Sequence, residues 1–155
     1  FVENQKGVTY DKLFGQYLKG AKNIVITDPY LRIFFQLRNL MEFTETIIKQ
    51  KNKEDEVKVH IITAKEDRNL DGKQDEFLEQ IQKSVATGGV NLTWEYDETH
   101  TIHARHIVVD DNWKISLDRG LDIFQSYEMN NAFGLSNRLQ EYRGCKAFEI
   151  TYIRV

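Results

Sequence analysis

The alternation of short apolar runs with amphipathic stretches constrains this chain most. Residues 23–27 (NIVIT), 57–64 (VKVHIITA) and 90–96 (VNLTWEY) have the length and β-branched or alternating character of strands. Between them lie two stretches of helical period. Residues 31–50 carry Phe34, Leu37, Leu40, Met41, Phe43, Ile47 and Ile48 among polar neighbours. Phe77, Leu78, Ile81 and Val85 mark another helix, stopping at Gly88 and Gly89. An earlier amphipathic helix starts after Thr9, an N-cap residue, and ends at Gly20. Strand–helix–strand–helix–strand order gives an α/β fold with helices on both faces. Residues 102–109 and 112–117 add two adjacent strands joined by an Asp110-Asp111 turn, an antiparallel hairpin that makes the central sheet mixed. A helical turn is expected at 121–124, a helix at 129–139 and a closing strand at 147–153.

At 155 residues with 41% apolar content, the chain reads as a single domain, 1–155, able to close a core. A net charge of -3 gives no global attraction to nucleic acid or anionic lipid, so such binding must come from a local patch, and nucleic acid is a disfavoured partner. Position 1 is Phe, which suits a domain cut from a longer protein. The lone Cys145 and the lack of an apolar run of about eighteen residues point to a cytoplasmic module.

The stretch THTIHARHIVVDDNWKISLDRGLD, residues 99–122, holds the densest set of ionisable groups on a strand pattern. Strand alternation puts His103 and Arg105 on the face of Ile107 and Val109, with His106 opposite and Asp110 just past the strand. A histidine beside an arginine suits an anion, phosphate in particular. Asp28, closed off by Pro29 at a strand's C-terminal end, lies where ligands gather in α/β sheets, with Tyr30 and Arg32 following. The competing reading is a structural pair, His103 and Arg105 satisfied internally by Asp28, Asp110 or Asp118. Neither metal pattern completes. His100, His103 and His106 at spacings of three do not share a strand face, and the EF-hand-like loop from Asp67 to Gly72 has Leu78 where a bidentate Glu belongs. No metal or other cofactor is expected. Tyr10, Phe14 and Tyr17 are candidates for a dimer interface.

The spacing H-x-R-x4-D at His103, Arg105 and Asp110 resembles the H-x-K-x4-D signature of the phospholipase D superfamily, with arginine replacing lysine. In active members two such motifs meet at one phosphodiester. One histidine attacks phosphorus and the other protonates the leaving group. Where that family carries G-S-x-N, this chain has Ile115 to Gly120 (ISLDRG), and a carboxylate at Asp118 would repel phosphate. A closer resemblance covers most of the chain. ITDPYLR (26–32), QLRNLMEF (36–43), IHAR (102–105) and NWKISLDRGLDIF (112–124) are similar to the C-terminal phospholipase D-like domain of MIT-domain-containing proteins. That resemblance implies a phospholipase D-like α/β/α sandwich with a mixed central sheet, a homodimer without established catalysis, and binding to anionic, phosphoinositide-containing membranes. It also suggests attachment to the remainder of a longer chain, of AAA+ or Lon-related type.

Together these readings give a non-catalytic, homodimeric accessory module peripheral to membranes. Arg32, His103, Arg105 and Arg119 would bind a phosphate-containing ligand or anionic lipid, supported by Asp28, Tyr30, Gln36 and Asp118. The alternative is a hydrolase, a dimeric phosphodiesterase or nuclease in which each subunit supplies His103, with Arg105 and Asp110 completing its motif.

Overall fold

The computed structural model describes residues 1–66, 73–99 and 103–155. Its elements run α1 (Tyr10–Leu18), β1 (Asn23–Thr27), α2 (Phe34–Gln50), β2 (Val57–Thr63), α3 (Lys73–Ala86), β3 (Val90–Tyr96), β4 (His106–Val109), β5 (Trp113–Leu117), α4 (Leu135–Arg138) and β6 (Ile150–Arg154), with a 3-10 turn at Gln140–Tyr142. The strands form one six-stranded mixed sheet in the order β3-β2-β1-β4-β5-β6. β1, β2 and β3 pair in parallel, whereas β4, β5 and β6 join antiparallel. The α/β class and the mixed central sheet are thus those read from the sequence.

The strand order also fixes where the helices lie. From β1 to β2 to β3 the chain steps twice in one direction, and right-handed crossovers then put α2 and α3 on the same face. α2 packs against both α1 and α3, so the three long helices make one layer. Ile24, Ile26, Val57, Val59, Ile61, Ile107, Val109, Ile115 and Leu117 are buried beneath it. Register aligns them, Ile24 with Val59 and Val109, Ile26 with Ile61 and Ile107. The alternate positions Val25, His60, Ile62, Val108 and Lys114 are only half-buried. The result is the α/β sandwich with a mixed central sheet expected from the sequence, its three long helices over one face and half-buried side chains on the other.

Thr9 starts α1 as expected, its Oγ1 accepting from Lys12 N at 3.1 Å. Tyr10 and Phe14 point into the core and are fully buried, which removes them as dimer-interface residues. Tyr17 instead stacks on Tyr152, ring centroids 4.3 Å apart, and meets Trp113 edge-on at 4.9 Å. This ties α1 to the β5–β6 side of the sheet.

Two expectations between β5 and β6 fail. Residues 121–124 are not helical, and Phe124 makes an isolated bridge to Cys145. The helix expected at 129–139 shrinks to Leu135–Arg138. A buried ion pair organises this segment in place of a helical ladder. Arg143 Nη1 and Nη2 donate to Glu42 Oε1 and Oε2 of α2 at 2.5 and 2.8 Å, and Nε donates to the Ser136 carbonyl at 2.5 Å. The guanidinium lies 4.0 Å from the Tyr127 ring centroid. Arg38, one turn earlier on α2, donates to Asn137 Oδ1 at 2.6 Å and to Tyr127 Oη at 3.1 Å. The Asn131 carbonyl accepts from Gly134 N and Asn137 Nδ2 and so is satisfied without a helix.

Candidate functional site

β1 ends in the middle of the sheet, and the next residue, Asp28, is only 3% exposed. Its backbone N–H continues the strand by donating to Ile62 O at 3.0 Å, after which Pro29 turns the chain outward. The carboxylate accepts from the Tyr30 N–H at 2.9 Å and from the Leu121 N–H. Burial pushes the Asp28 carboxyl above its ordinary range, opposed by the Tyr30 N–H, by the charge of Arg105 and by the Leu121 N–H. Gly120 makes the arrangement possible. It sits at φ +58°, and a Cβ there would fall 2.9 Å from Asp28 Cγ and 3.2 Å from Arg105 Cδ. The loop after β5 and the turn after β1 therefore meet backbone against carboxylate, with Arg105 alongside.

Tyr30 is the surface side of this junction, 40% exposed. The Arg105 guanidinium carbon lies 4.2 Å from its ring centroid and that of Arg32 5.1 Å. Both guanidinium groups thus gather at one ring, which holds them by cation–π attraction. Of the residues singled out in the sequence, Asp28, Tyr30, Arg32 and Arg105 come together. The cluster offers planar donor forks to an anion, geometry that favours carboxylate or phosphate oxygens.

The remaining site residues stand differently. The strand expected from residue 102 begins at His106, so His103 and Arg105 precede the ladder. Arg105 is still anchored, its carbonyl accepting from Leu117 N at 3.1 Å. His103 is exposed. Asp110 lies five residues further on, about 16 Å along an extended chain from Arg105. There it adopts φ +50°, and its Oδ1 accepts from Asn23 N at 2.7 Å and Lys22 N at 3.0 Å. It ties the hairpin to the start of β1 and does not join the Tyr30 cluster. Gln36 Oε1 accepts from the Arg32 and Ile33 N–H groups at 3.0 and 3.3 Å and so fixes the entry to α2. Asp118 Oδ1 accepts from Glu149 N at 2.9 Å, and Arg119 Nε donates to Ala147 O at 2.9 Å. Both lean toward the segment leading into β6.

His106 lies on the sheet face opposite the long helices, and its pKa is lowered by partial burial and by Lys114. The EF-hand-like loop and His100 lie outside the described residues; among the described residues no group of His, Cys, Asp and Glu converges on a metal site. A 260 Å³ cavity between α2 and the segment after β5 is lined by Phe35, Asn39, Asp122, Tyr127, Met129 and Lys146. Its lysine is already paired, Lys146 Nζ to Asp122 Oδ1 at 2.9 Å.

Sequence reasoning missed two contributors. Gly120 appeared only as part of a departure from a motif, yet it admits Asp28 to the loop backbone. The Glu42–Arg143 pair was missed altogether, and Glu42 beside the apolar stripe of α2 was its one local sign.

Comparison with known proteins agrees with this architecture. The family described as the phospholipase D-like domain at the C-terminus of MIT matches residues 7–154. MIT domain-containing protein 1 of Mus musculus is 35% identical over 124 residues, covering 79% of this chain and 48% of the mouse protein. The chain thus spans about half the length of that curated relative.

Proposed function

The chain belongs to the family of phospholipase D-like domains at the C-terminus of MIT, and from that premise we propose that it is a non-catalytic module that holds a phosphate-type anion at the Tyr30, Arg32 and Arg105 cluster. One observation carries this reading, two guanidinium groups gathered at a single exposed tyrosine ring beside a buried carboxylate. The Tyr30 ring holds both guanidinium groups, and the charge of Arg105 acts on the Asp28 carboxyl, so the forks are gathered before a ligand arrives. His103 would stand at the rim as a further donor, and Arg119 would add positive potential from the β5–β6 side. Self-association into a homodimer is a second element of the proposal, supported by the half-buried side chains on the sheet face opposite the long helices. Among the described residues no helix is long and apolar enough to cross a membrane, which is consistent with peripheral attachment.

The non-catalytic part rests on His103. A nucleophile must be held close to its phosphorus in an attack-ready geometry, and His103 is exposed and precedes the β4 ladder, which argues against that role.

Titration with inorganic phosphate and with inositol phosphates, followed by calorimetry or amide chemical shifts, tests the binding site. Arg105→Ala is expected to weaken binding roughly 10- to 100-fold, the loss of one charge-assisted fork, and added salt to weaken it further. Binding that ignores both changes overturns the site. Turnover of bis(p-nitrophenyl) phosphate that disappears in His103→Ala would overturn the non-catalytic reading. A sedimentation coefficient independent of concentration at the monomer value would remove the dimer.

A further inference from the structure

The 260 Å³ cavity between α2 and the segment after β5 is lined by none of Tyr30, Arg32 and Arg105. Asn39 does line it, from the second turn of α2, with only 4% of its surface exposed. Its side-chain amide makes no hydrogen bond among the described residues. Of those residues, Glu66 supplies the side-chain polar atom that is sealed from open space without a partner, so the Asn39 amide, though buried, still borders open space. The space that Asn39 borders is this cavity. A buried amide without a protein partner is costly and calls for a reason.

The walls around the amide are aromatic and held in place. Phe35 precedes Asn39 by one helical turn and shares its stripe of α2. Phe124 and Tyr127 come from the segment after β5, and one buried cation fixes both. The Arg143 guanidinium carbon lies 4.0 Å from the Tyr127 ring centroid and 5.2 Å from that of Phe124. Tyr127 Oη also accepts from Arg38 Nε at 3.1 Å, and the bridge between Phe124 and Cys145 anchors the backbone. Rings restrained in this way form a site shaped before any ligand arrives. Lys146 Nζ donates to Asp122 Oδ1 at 2.9 Å, and Asp122 Oδ2 accepts no hydrogen bond among the described residues. A second acceptor therefore stands beside the Asn39 amide in the lining.

An asparagine amide presents a donor and an acceptor side by side. A ring that satisfies both carries an acceptor next to a donor on one edge, as N7 and the 6-amino group of adenine do. Aromatic walls favour a planar ring by stacking. Size agrees, because a cavity of about 150 Å³ holds benzene, and 260 Å³ leaves room for a fused two-ring system. We propose that this cavity binds a planar nitrogen heterocycle of the adenine type, its donor–acceptor edge on the Asn39 amide and its faces against Phe35, Phe124 and Tyr127. This site is independent of the phosphate site at Tyr30. A free base and the base of a nucleotide share the chemistry, and the experiment separates them.

Chemical shifts of the protein are followed while adenine, purine, adenosine or adenosine monophosphate is added to millimolar concentration. Adenine is expected to shift the Asn39 side-chain amide and the signals of Phe124 and Tyr127. Purine, which lacks the 6-amino donor, should bind on the order of 10-fold more weakly, the loss of one hydrogen bond at a buried amide. Asn39→Leu is close in shape and removes both bonds, so adenine should bind it about 10-fold or more weakly and no better than purine. Its melting temperature should not fall below that of the wild type, since an unpaired buried amide is gone. Met129→Trp fills the cavity and leaves the amide in place, and should abolish adenine binding. Adenosine and its monophosphate shifting the same signals as strongly as adenine would make a nucleotide the source, and a response to adenine alone a free base. No shift at the cavity, adenine binding no tighter than purine, or adenine binding unchanged by Asn39→Leu or Met129→Trp each overturns the site. A lower melting temperature for Asn39→Leu would show that the amide already serves the fold and overturns it too. Arg105→Ala should leave adenine binding unchanged, so loss of phosphate binding alone removes only the anion site.

Discussion

Replacing Gly120 by alanine tests the junction that supports the anion site. Two separate costs arise there. At φ +58° an L-residue occupies the left-handed region, at a cost of about 1–2 kcal/mol. The added Cβ would also lie 2.9 Å from Asp28 Cγ, and Asp28 cannot easily retreat, being buried and held by the Tyr30 and Leu121 N–H groups. Overpacking of that kind costs about 1–3 kcal/mol. Gly20 separates the two contributions. Its φ is +68°, but a Cβ there would meet nothing closer than Asn52 Nδ2 at 3.5 Å, ordinary contact. Gly20→Ala should thus lose about 1–2 kcal/mol and Gly120→Ala about 2–5. For a domain of this size each kcal/mol lowers Tm by about 2–4 °C, so the second variant should melt on the order of 10 °C low. Urea unfolding with matched m-values measures both. In an Asp28→Ala background the extra loss of Gly120→Ala over Gly20→Ala should shrink markedly, because the carboxyl is gone and only the 3.2 Å approach to the Arg105 side chain remains. Equal losses for the two glycines in the wild-type background, or an undiminished difference after Asp28→Ala, would refute the reasoning.

Further outcomes follow from other contacts. Burial raises the Asp28 pKa above the ordinary value of 3.8, so the folded state holds this proton more tightly than the unfolded chain does. Its contribution to stability is therefore most favourable below 3.8 and declines as pH rises through the raised native pKa. The stability of Asp28→Asn relative to wild type should accordingly improve with rising pH, as read by melts at a series of pH values; an unchanged difference would contradict the burial argument. Arg143→Met leaves the Glu42 carboxylate in a largely buried site, a break that typically costs about 3–5 kcal/mol, softened here by Arg38 at 3.8 Å. Pairing it with Glu42→Leu should restore most of the loss in denaturant melts, and failure to do so would show that the pair's worth lies in its carbonyl bonds to Ser136 and Asn137.

The sequence was most legible where local period and topology agree. NIVIT and VNLTWEY formed strands with the bounds read from them, and two residues of aspartate marked the hairpin turn, both adopting positive φ, +50° and +54°. Legibility declined where long-range contacts override the local pattern. Residues 129–139 have helical period in part, yet the Asn131 carbonyl, which a helix would pair with Leu135 N, accepts from Gly134 N and from Asn137 Nδ2. The face occupied by α2 and α3 follows from strand order, which no local pattern encodes. At the site, Asp28, Tyr30 and Arg32 were legible because a proline ends β1 there, and Arg105 because it neighbours a histidine in a known spacing. The approach of Gly120 to Asp28 joins residues 92 positions apart and was not.

The central place of β1 in the sheet has a consequence for how the molecule is made. Its left-hand neighbour β2 follows within one crossover, but its right-hand neighbour β4 pairs Ile24 with Val109, more than eighty residues later. During synthesis β1, β2 and β3 can assemble with α2 and α3 while the other margin of β1 still presents bare N–H and C=O groups. An unpaired edge of that kind invites association with other chains. Late closure by the β4–β5 hairpin also raises the mean loop length of the native contacts and slows folding. A truncation before His106 should therefore aggregate, and the hairpin's short, locally encoded turn gives the closing step its speed.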